Sequence, residues 1–199
     1  NVATQTSFYV TVNDAQAPVI SLHTGGEDFE TSEASVNVDV TKGYASVSDN
    51  IDNDLEITYR LGSTVLTGPY DFPVGKNTIT LNAQDSGGND AAQKTITFNV
   101  YDFGAPVITA PDDLVVATDA GEATHMLDVT ALGSVLDAVD TDVAIVYSVG
   151  SSVLTGNYPF PIGGTVVTMD AKDADGNVAT QVTFTVTVSD AGAPVLVAP

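Results

Sequence analysis

An all-β chain of two tandem β-sandwich modules is predicted by three observations. The first is an internal repeat of 88 residues: Ala17-Pro18-Val19 returns as Ala105-Pro106-Val107 and again as Ala193-Pro194-Val195. Asp14, Asp102 and Asp190 keep that spacing, as do Asn1, Asn89 and Asn177, and residues 43–102 match 131–190 at 28 of 60 positions without a gap. Self-similarity of this quality marks two copies of one structural unit. The second is a hydrophobic period of two. Val182, Phe184, Val186 and Val188 alternate with Thr183, Thr185, Thr187 and Ser189, as Ile96, Phe98 and Val100 alternate with Thr97 and Asn99. That period belongs to half-buried strands. The third is punctuation by Gly and Pro at short intervals, at Gly62, Gly68-Pro69, Pro73, Gly75 and Gly87-Gly88, with no stretch of helical periodicity between them.

About seven short strands in each repeat is the size and rhythm of an immunoglobulin-like β-sandwich. Strand A starts at Pro18 or Pro106. Strand B holds Val36, Val38 and Val40 in the first copy. In the second it falls near His125, Leu127 and Val129, one residue out of step, so a compensating insertion and deletion is expected around A and B. Strand C carries Leu55, Ile57 and Tyr59, or Val143, Ile145 and Tyr147. Thr64–Leu66 and Ser152–Leu154 form a middle strand, and strand F runs over Thr78–Ala83 or Val166–Ala171. A tight hairpin at 85–89 or 173–177 leads into strand G. The repeat sets module 1 at residues 15–102 and module 2 at 103–190. Residues 1–14 match the end of each copy and read as the last strand of a preceding repeat; residues 191–199 read as the first strand of a following one. An excerpt from a longer array is the simplest expectation, with strand exchange between filament subunits as the alternative.

Composition narrows the function. The 199 residues include 26 acidic and 5 basic side chains, for a net charge of −21. Nucleic acid and anionic membrane surfaces attract Lys and Arg, so neither is an expected partner. Cysteine is absent, which excludes disulfides, thiolate metal sites and cysteine nucleophiles. No apolar run approaches the roughly 20 residues that span a bilayer, and no signal peptide is visible. Paired carboxylates can act as a glycosidase acid and base, but here they fall on linkers and turns and there is no Trp to bind a sugar, so no enzyme is expected. His23 and His125 occupy non-equivalent places in the repeat and are read as filler.

Tyr158-Pro159-Phe160-Pro161-Ile162-Gly163, followed by Asp173-Ala174-Asp175-Gly176-Asn177-Val178-Ala179 and Phe184-Thr185-Val186-Thr187-Val188, resembles the hyalin-repeat (HYR) module. Ala105-Pro106-Val107-Ile108 resembles its opening, and the first copy keeps Phe72-Pro73-Val74-Gly75 and Asp85 with Gly88-Asn89. The resemblance implies an extracellular immunoglobulin-like fold of adhesion proteins, commonly in long arrays. Animal members carry a cysteine pair absent here, which points instead to a prokaryotic surface protein similar to the extender repeats of giant bacterial adhesins.

The acidic residues are 21 Asp and only 5 Glu. In a sandwich of this topology the B–C and F–G loops meet at the end where the chain enters. The entering linker brings Asp14, the B–C loop Asp49, Asp52 and Asp54, and the F–G loop Asp85; the second copy brings Asp102, Asp137, Asp140, Asp142 and Asp173. Two unit charges 4 Å apart repel by about 4 kcal/mol at an effective dielectric of 20, so an external cation is the expected neutraliser. Hard oxygen donors without His or Cys select Ca2+. Asp190 would serve a following module. An EF-hand reading of Asp173-Ala174-Asp175-Gly176 fails, because its twelfth position is Phe184 on a strand; short Asp side chains on a solvated surface are the plain alternative. The sequence thus predicts a non-enzymatic stalk of a secreted or cell-surface adhesin. Structural Ca2+ would set the angle between modules, and neighbouring repeats of the same chain or filament would be the partners. The runner-up is a module that binds a host or surface protein or a glycan through its loops.

Overall fold

The computed structural model describes residues 3–192, and these contain strands and no helix. They divide into two compact units, one of residues 3–30 and 35–101, the other of 31–34 and 102–192. Asp102, which the repeat places at the end of module 1, falls in unit 2.

Unit 1 is built from β1 (Val19–Leu22), β2 (Gly26–Thr31), β3 (Ser35–Val38), β4 (Ala45–Ser48), β5 (Thr58–Leu61), β6 (Thr64–Leu66), β7 (Tyr70–Pro73), β8 (Gly75–Asn82) and β9 (Lys94–Asp102). One layer is a five-stranded sheet in the order β2-β9-β8-β5-β6, and the other consists of the antiparallel pairs β1–β4 and β3–β7. Along β8, Ile79 and Leu81 are fully buried while Thr78 and Thr80 face outward. β9 does the same with Ile96, Phe98 and Val100. Their partners across the sandwich are Ile20, Val40 and Phe72. Phe72 meets Phe98 edge-on, with ring centroids 5.1 Å apart. Each such side chain contributes roughly 1.5–3 kcal/mol by leaving water, and this core takes the place of the disulfide many sandwiches use.

Unit 2 repeats the plan with β10 (Val107–Thr109), β11 (Leu114–Ala117), β12 (Thr124–Asp128), β13 (Ser134–Leu136), β14 (Ile145–Val149), β15 (Ser152–Leu154), β16 (Asn157–Pro161), β17 (Gly163–Ala171) and β18 (Val182–Ser189). Its large sheet runs β11-β18-β17-β14-β15, with β11 parallel to β18, and β10–β13 and β12–β16 form the facing layer. The core holds Ile108, Val129, Phe160, Val167, Met169, Phe184 and Val186.

The registers locate the slip in strand B. Ile20 faces Val47 and Ile108 faces Val135, an offset of 88 on both sides. Val36 faces Phe72, but His125 faces Phe160, so the first partner has moved by 89 and the second by 88. The second copy therefore gains a residue before strand B and loses one after it. The loss falls in a break in the strand: Asp39-Val40-Thr41 becomes Asp128-Val129-Thr130, and β4 or β13 resumes a few residues later. In both breaks the Asp carboxylate accepts hydrogen bonds from the Thr backbone amide and hydroxyl, the latter at 2.6 Å. The intervening Val40 or Val129 is fully buried. The break lets one strand pair with β7 or β16 in its first half and with β1 or β10 in its second.

Residues 3–18 carry no strand. The run expected to end a preceding repeat leaves Phe8, Tyr9, Val10 and Val12 exposed. A strand needs a partner edge for its backbone N–H and C=O groups, and no described residue pairs with this one. The expected first strand of a following repeat lies mostly outside the described residues.

Candidate metal centres

Two sets of three carboxylates converge, one in each unit. In unit 1 these are Asp14, Asp49 and Asp85; in unit 2 they are Asp102, Asp140 and Asp173. Within each set, one oxygen of every member lies within 4.8 Å of the others. Of the remaining sequence-predicted residues, Asp52 and Asp137 sit in the B–C loops beside these sets, whereas Asp54 and Asp142 are exposed on the approach to strand C. Asp142, Asp140, Lys172 and Asp173 line an open cavity of about 420 Å³, which gives the unit 2 set access to solvent.

Local hydrogen bonding shapes each loop. At the start of the B–C loop, one oxygen of Asp49 accepts from the amides of Ile51 and Asp52, and one oxygen of Asp137 accepts from those of Val139 and Asp140. These are Asx turns, the ordinary use of a short acidic side chain. The second Asp of the loop then reaches across to the F–G hairpin: Asp52 accepts from Ser86, and Asp140 from the Ala174 amide at 2.8 Å. The linker residues repeat a third motif, in which Asp14 accepts from the Gln16 amide, Asp102 from Gly104 and Asp190 from Gly192.

Asp85 and Asp173 are buried but well partnered. Asn177 donates its backbone amide to one oxygen of Asp173 and its side-chain amide to the other, both at 2.7 Å, and Asn89 serves Asp85 in the same way. Burial pushes both carboxyls up, yet the Asn side chains and the hairpin amides outweigh it and leave both below the ordinary carboxylate value. The same Asn side chains donate to the linker backbone, Asn89 to the Asp14 carbonyl at 3.3 Å and Asn177 to the Asp102 carbonyl at 3.2 Å. Sequence reading missed this clamp. The 88-residue spacing of the Asn residues was visible, but the acceptor is a main-chain carbonyl and has no residue signature.

Asp102 differs from these. It is 4% exposed, and its second oxygen is buried without a hydrogen-bond partner. Burial drives its carboxyl above the ordinary value; the Gly104 amide opposes this only in part, and the charges of Asp137, Asp173 and Asp175 add to it. In unit 1 the second oxygens of Asp14 and Asp49 are likewise buried and unpartnered. A buried anionic oxygen with no donor carries its full desolvation penalty. Oxygens of this kind, converging without His or Cys, fit a hard divalent cation such as Ca2+, which takes carboxylate, carbonyl and water oxygens.

The two histidines stand apart from both sets: His23 bonds the Gly43 carbonyl and the Ser46 hydroxyl, and His125 faces Asp119 at 3.0 Å.

No family model matches the chain. It is 33% identical over 193 residues to hyalin of Strongylocentrotus purpuratus, covering 91% of this chain and 15% of that protein. It is 30% identical over 204 residues to hyalin of Lytechinus variegatus, covering 96% of this chain and 34% of that protein. The chain thus spans about a third or less of either relative. Among solved structures it resembles human mucin-like protocadherin EC1-2, with a TM-score of 0.45 at 15% identity, over 86% of this chain and 98% of that one. It also resembles Sidekick-1 immunoglobulin domains 1–4, with a TM-score of 0.45 at 11% identity, over 87% and 49%. The identity to the two hyalins, held over nearly the whole length and joined to the internal 88-residue period, makes this chain a pair of hyalin-like repeats.

Proposed function

We propose that the chain is a non-enzymatic, extracellular, adhesion-type spacer whose linkers are ordered by Ca2+. The observation that carries the reading is the buried, partnerless oxygen of Asp102, gathered with Asp140 and Asp173. Unit 2 would hold the ion with Asp102 from the linker, Asp140 from the B–C loop and Asp173 from the F–G hairpin. Unit 1 would use Asp14, Asp49 and Asp85, with Asp52 and Asp137 of the same loops as further proposed ligands. The ion supplies positive charge where the chain has only 5 basic side chains against 26 acidic ones. The residues supply an anchor on three separate segments, so that occupancy ties the linker to the two loops. The role is mechanical: an ordered linker keeps an extended array extended. An extracellular setting suits this, because calcium is abundant there.

Thermal unfolding of the whole chain with calcium and with chelator tests the reading. A ligand bound only by the folded state at 100 times its Kd adds about 2.7 kcal/mol. For a domain of this size that raises the midpoint by roughly 10 °C or more. Identical midpoints in the two conditions, with unchanged dimensions by X-ray scattering, would leave the carboxylates as a solvated surface and sink the proposal.

A further inference from the structure

The two carboxylate sets use different members of the B–C loop. Unit 1 brings in Asp49, the first Asp of the loop, whereas unit 2 brings in Asp140, the counterpart of Asp52. One side chain on the F–G hairpin differs alongside it. In unit 1, Ser86 donates its backbone amide to Asp52 at 2.8 Å and turns its hydroxyl onto both carboxylate oxygens, at 3.0 and 2.9 Å. In unit 2 the equivalent residue is Ala174, which has only the backbone amide to give, and it holds a single oxygen of Asp140 at 2.8 Å. The other oxygen of Asp140 accepts no hydrogen bond among the described residues, and the carboxylate converges with those of Asp102 and Asp173.

We infer that the residue at 86 and 174 sets the cation affinity of its unit, and that the unit 2 site fills first. This rests on the cation reading above. A cation at Asp52 must compete with a charge-assisted hydrogen bond from the Ser86 hydroxyl, whereas Asp140 offers its second oxygen with nothing to displace. Both units hold buried, partnerless oxygens for a cation to relieve, on Asp14 and Asp49 in unit 1 and on Asp102 in unit 2, so the Ser86 hydroxyl on Asp52 is what separates them. At limiting calcium, the linker entering unit 2 is ordered while the linker entering unit 1 is still empty.

The test is calorimetric titration of calcium chloride into the chelator-stripped whole chain and four variants. Asp14→Asn silences the unit 1 site and Asp102→Asn the unit 2 site, so each Kd is read separately. Ser86→Ala and Ala174→Ser, each made in the background with the other site silenced, exchange the hairpin residues. Both changes are small and keep the backbone amide, so circular dichroism stays unchanged, and Ser86→Ala lowers the chelated midpoint only by the loss of its hydroxyl bonds to Asp52. The expected result is a unit 2 site tighter by on the order of tenfold, consistent with removal of one hydrogen bond to a charged group. Ser86→Ala tightens the unit 1 site towards the unit 2 value, and Ala174→Ser weakens the unit 2 site. Two sites that bind calcium equally, with exchanges that move neither Kd or move them the opposite way, overturn this inference and leave the cation reading standing. Absence of calcium binding at either site overturns both.

Discussion

The side-chain amide of Asn177 holds the backbone carbonyl of Asp102 at 3.2 Å while the same nitrogen donates to the Asp173 carboxylate at 2.7 Å. One residue on the F–G hairpin therefore fixes both the main chain of the linker and the orientation of a buried carboxylate. The arrangement recurs at Asn89 with Asp14 and Asp85.

Replacing Asn177 by Ala removes both donors and leaves the Asp173 oxygen buried without one. A buried acceptor stripped of its partner costs about 1–3 kcal/mol. Asn177→Ala is therefore expected to lower the chelated midpoint of unit 2 by several degrees and to weaken calcium binding there, although the side chain touches no proposed cation position. Asn177→Asp should be worse than Ala, because it sets a third carboxylate against Asp173. Denaturant unfolding and calcium titration of both variants check the order.

Asp102 gives the opposite sign. Its carboxyl is raised in the folded protein by burial first and by neighbouring carboxylates second. A group with a raised acid value destabilises the ion-free fold above that value, and the penalty is relieved as the pH falls through it. Asp102→Asn keeps the shape and removes the charge. The ion-free variant is expected to melt higher than wild type at neutral pH and to lose the calcium-dependent gain of unit 2. A variant that melts lower in chelator and still gains from calcium would contradict this.

Much of this was legible in the sequence because the repeat compares the chain with itself. Tyr59 and Tyr147, Leu66 and Leu154, and Phe72 and Phe160 all sit in the core at matched places. The strands at 64–66 and 152–154 fall where the alternation set them. The convergence of the linker with two loops followed from sandwich topology alone. What could not be read was the choice among five carboxylates. The B–C loops are held instead by bonds no residue pattern announces: a hydroxyl present at Ser86 and absent at Ala174, and amides donated across 34 residues of sequence. The break in strand B was hidden for a similar reason. Val36, Val38 and Val40 read as one continuous strand, while Asp39 and Thr41 divert the backbone by bonding to each other.

Those breaks contribute to the acid limb of stability, together with Asp85 and Asp173. Asp39 is held below the ordinary carboxylate value first by the Thr41 hydroxyl and then by Lys42, and Asp128 is held there by the Thr130 hydroxyl and amide. A depressed acid value contributes stability that is present above the unfolded value, near 3.8, and is lost as the pH falls through the folded value. Thr130→Val, which removes the hydroxyl and keeps the shape, should flatten that part of the midpoint-against-pH curve in unit 2. A variant whose curve superimposes on wild type below pH 4 would show that the hydroxyl contributes nothing there.

Gly133 tests the packing of the second break. It has φ of +83°, and a Cβ built on it would lie 2.8 Å from the Thr109 carbonyl oxygen and 2.6 Å from the terminal methyl of Met169. The Met169 methyl can move, but the Thr109 oxygen belongs to the backbone of β10 and cannot yield without breaking its pairing with β13. Left-handed backbone costs a non-Gly residue about 1 kcal/mol or more, and the steric conflict adds to it. Gly133→Ala is therefore expected to lose about 2–4 kcal/mol of unit 2 stability. Gly121→Ala, with φ of +81° and open space around it, should lose only the backbone part. The difference between the two midpoints isolates the close approach of the break to β10, and equal losses would assign the whole effect to backbone conformation.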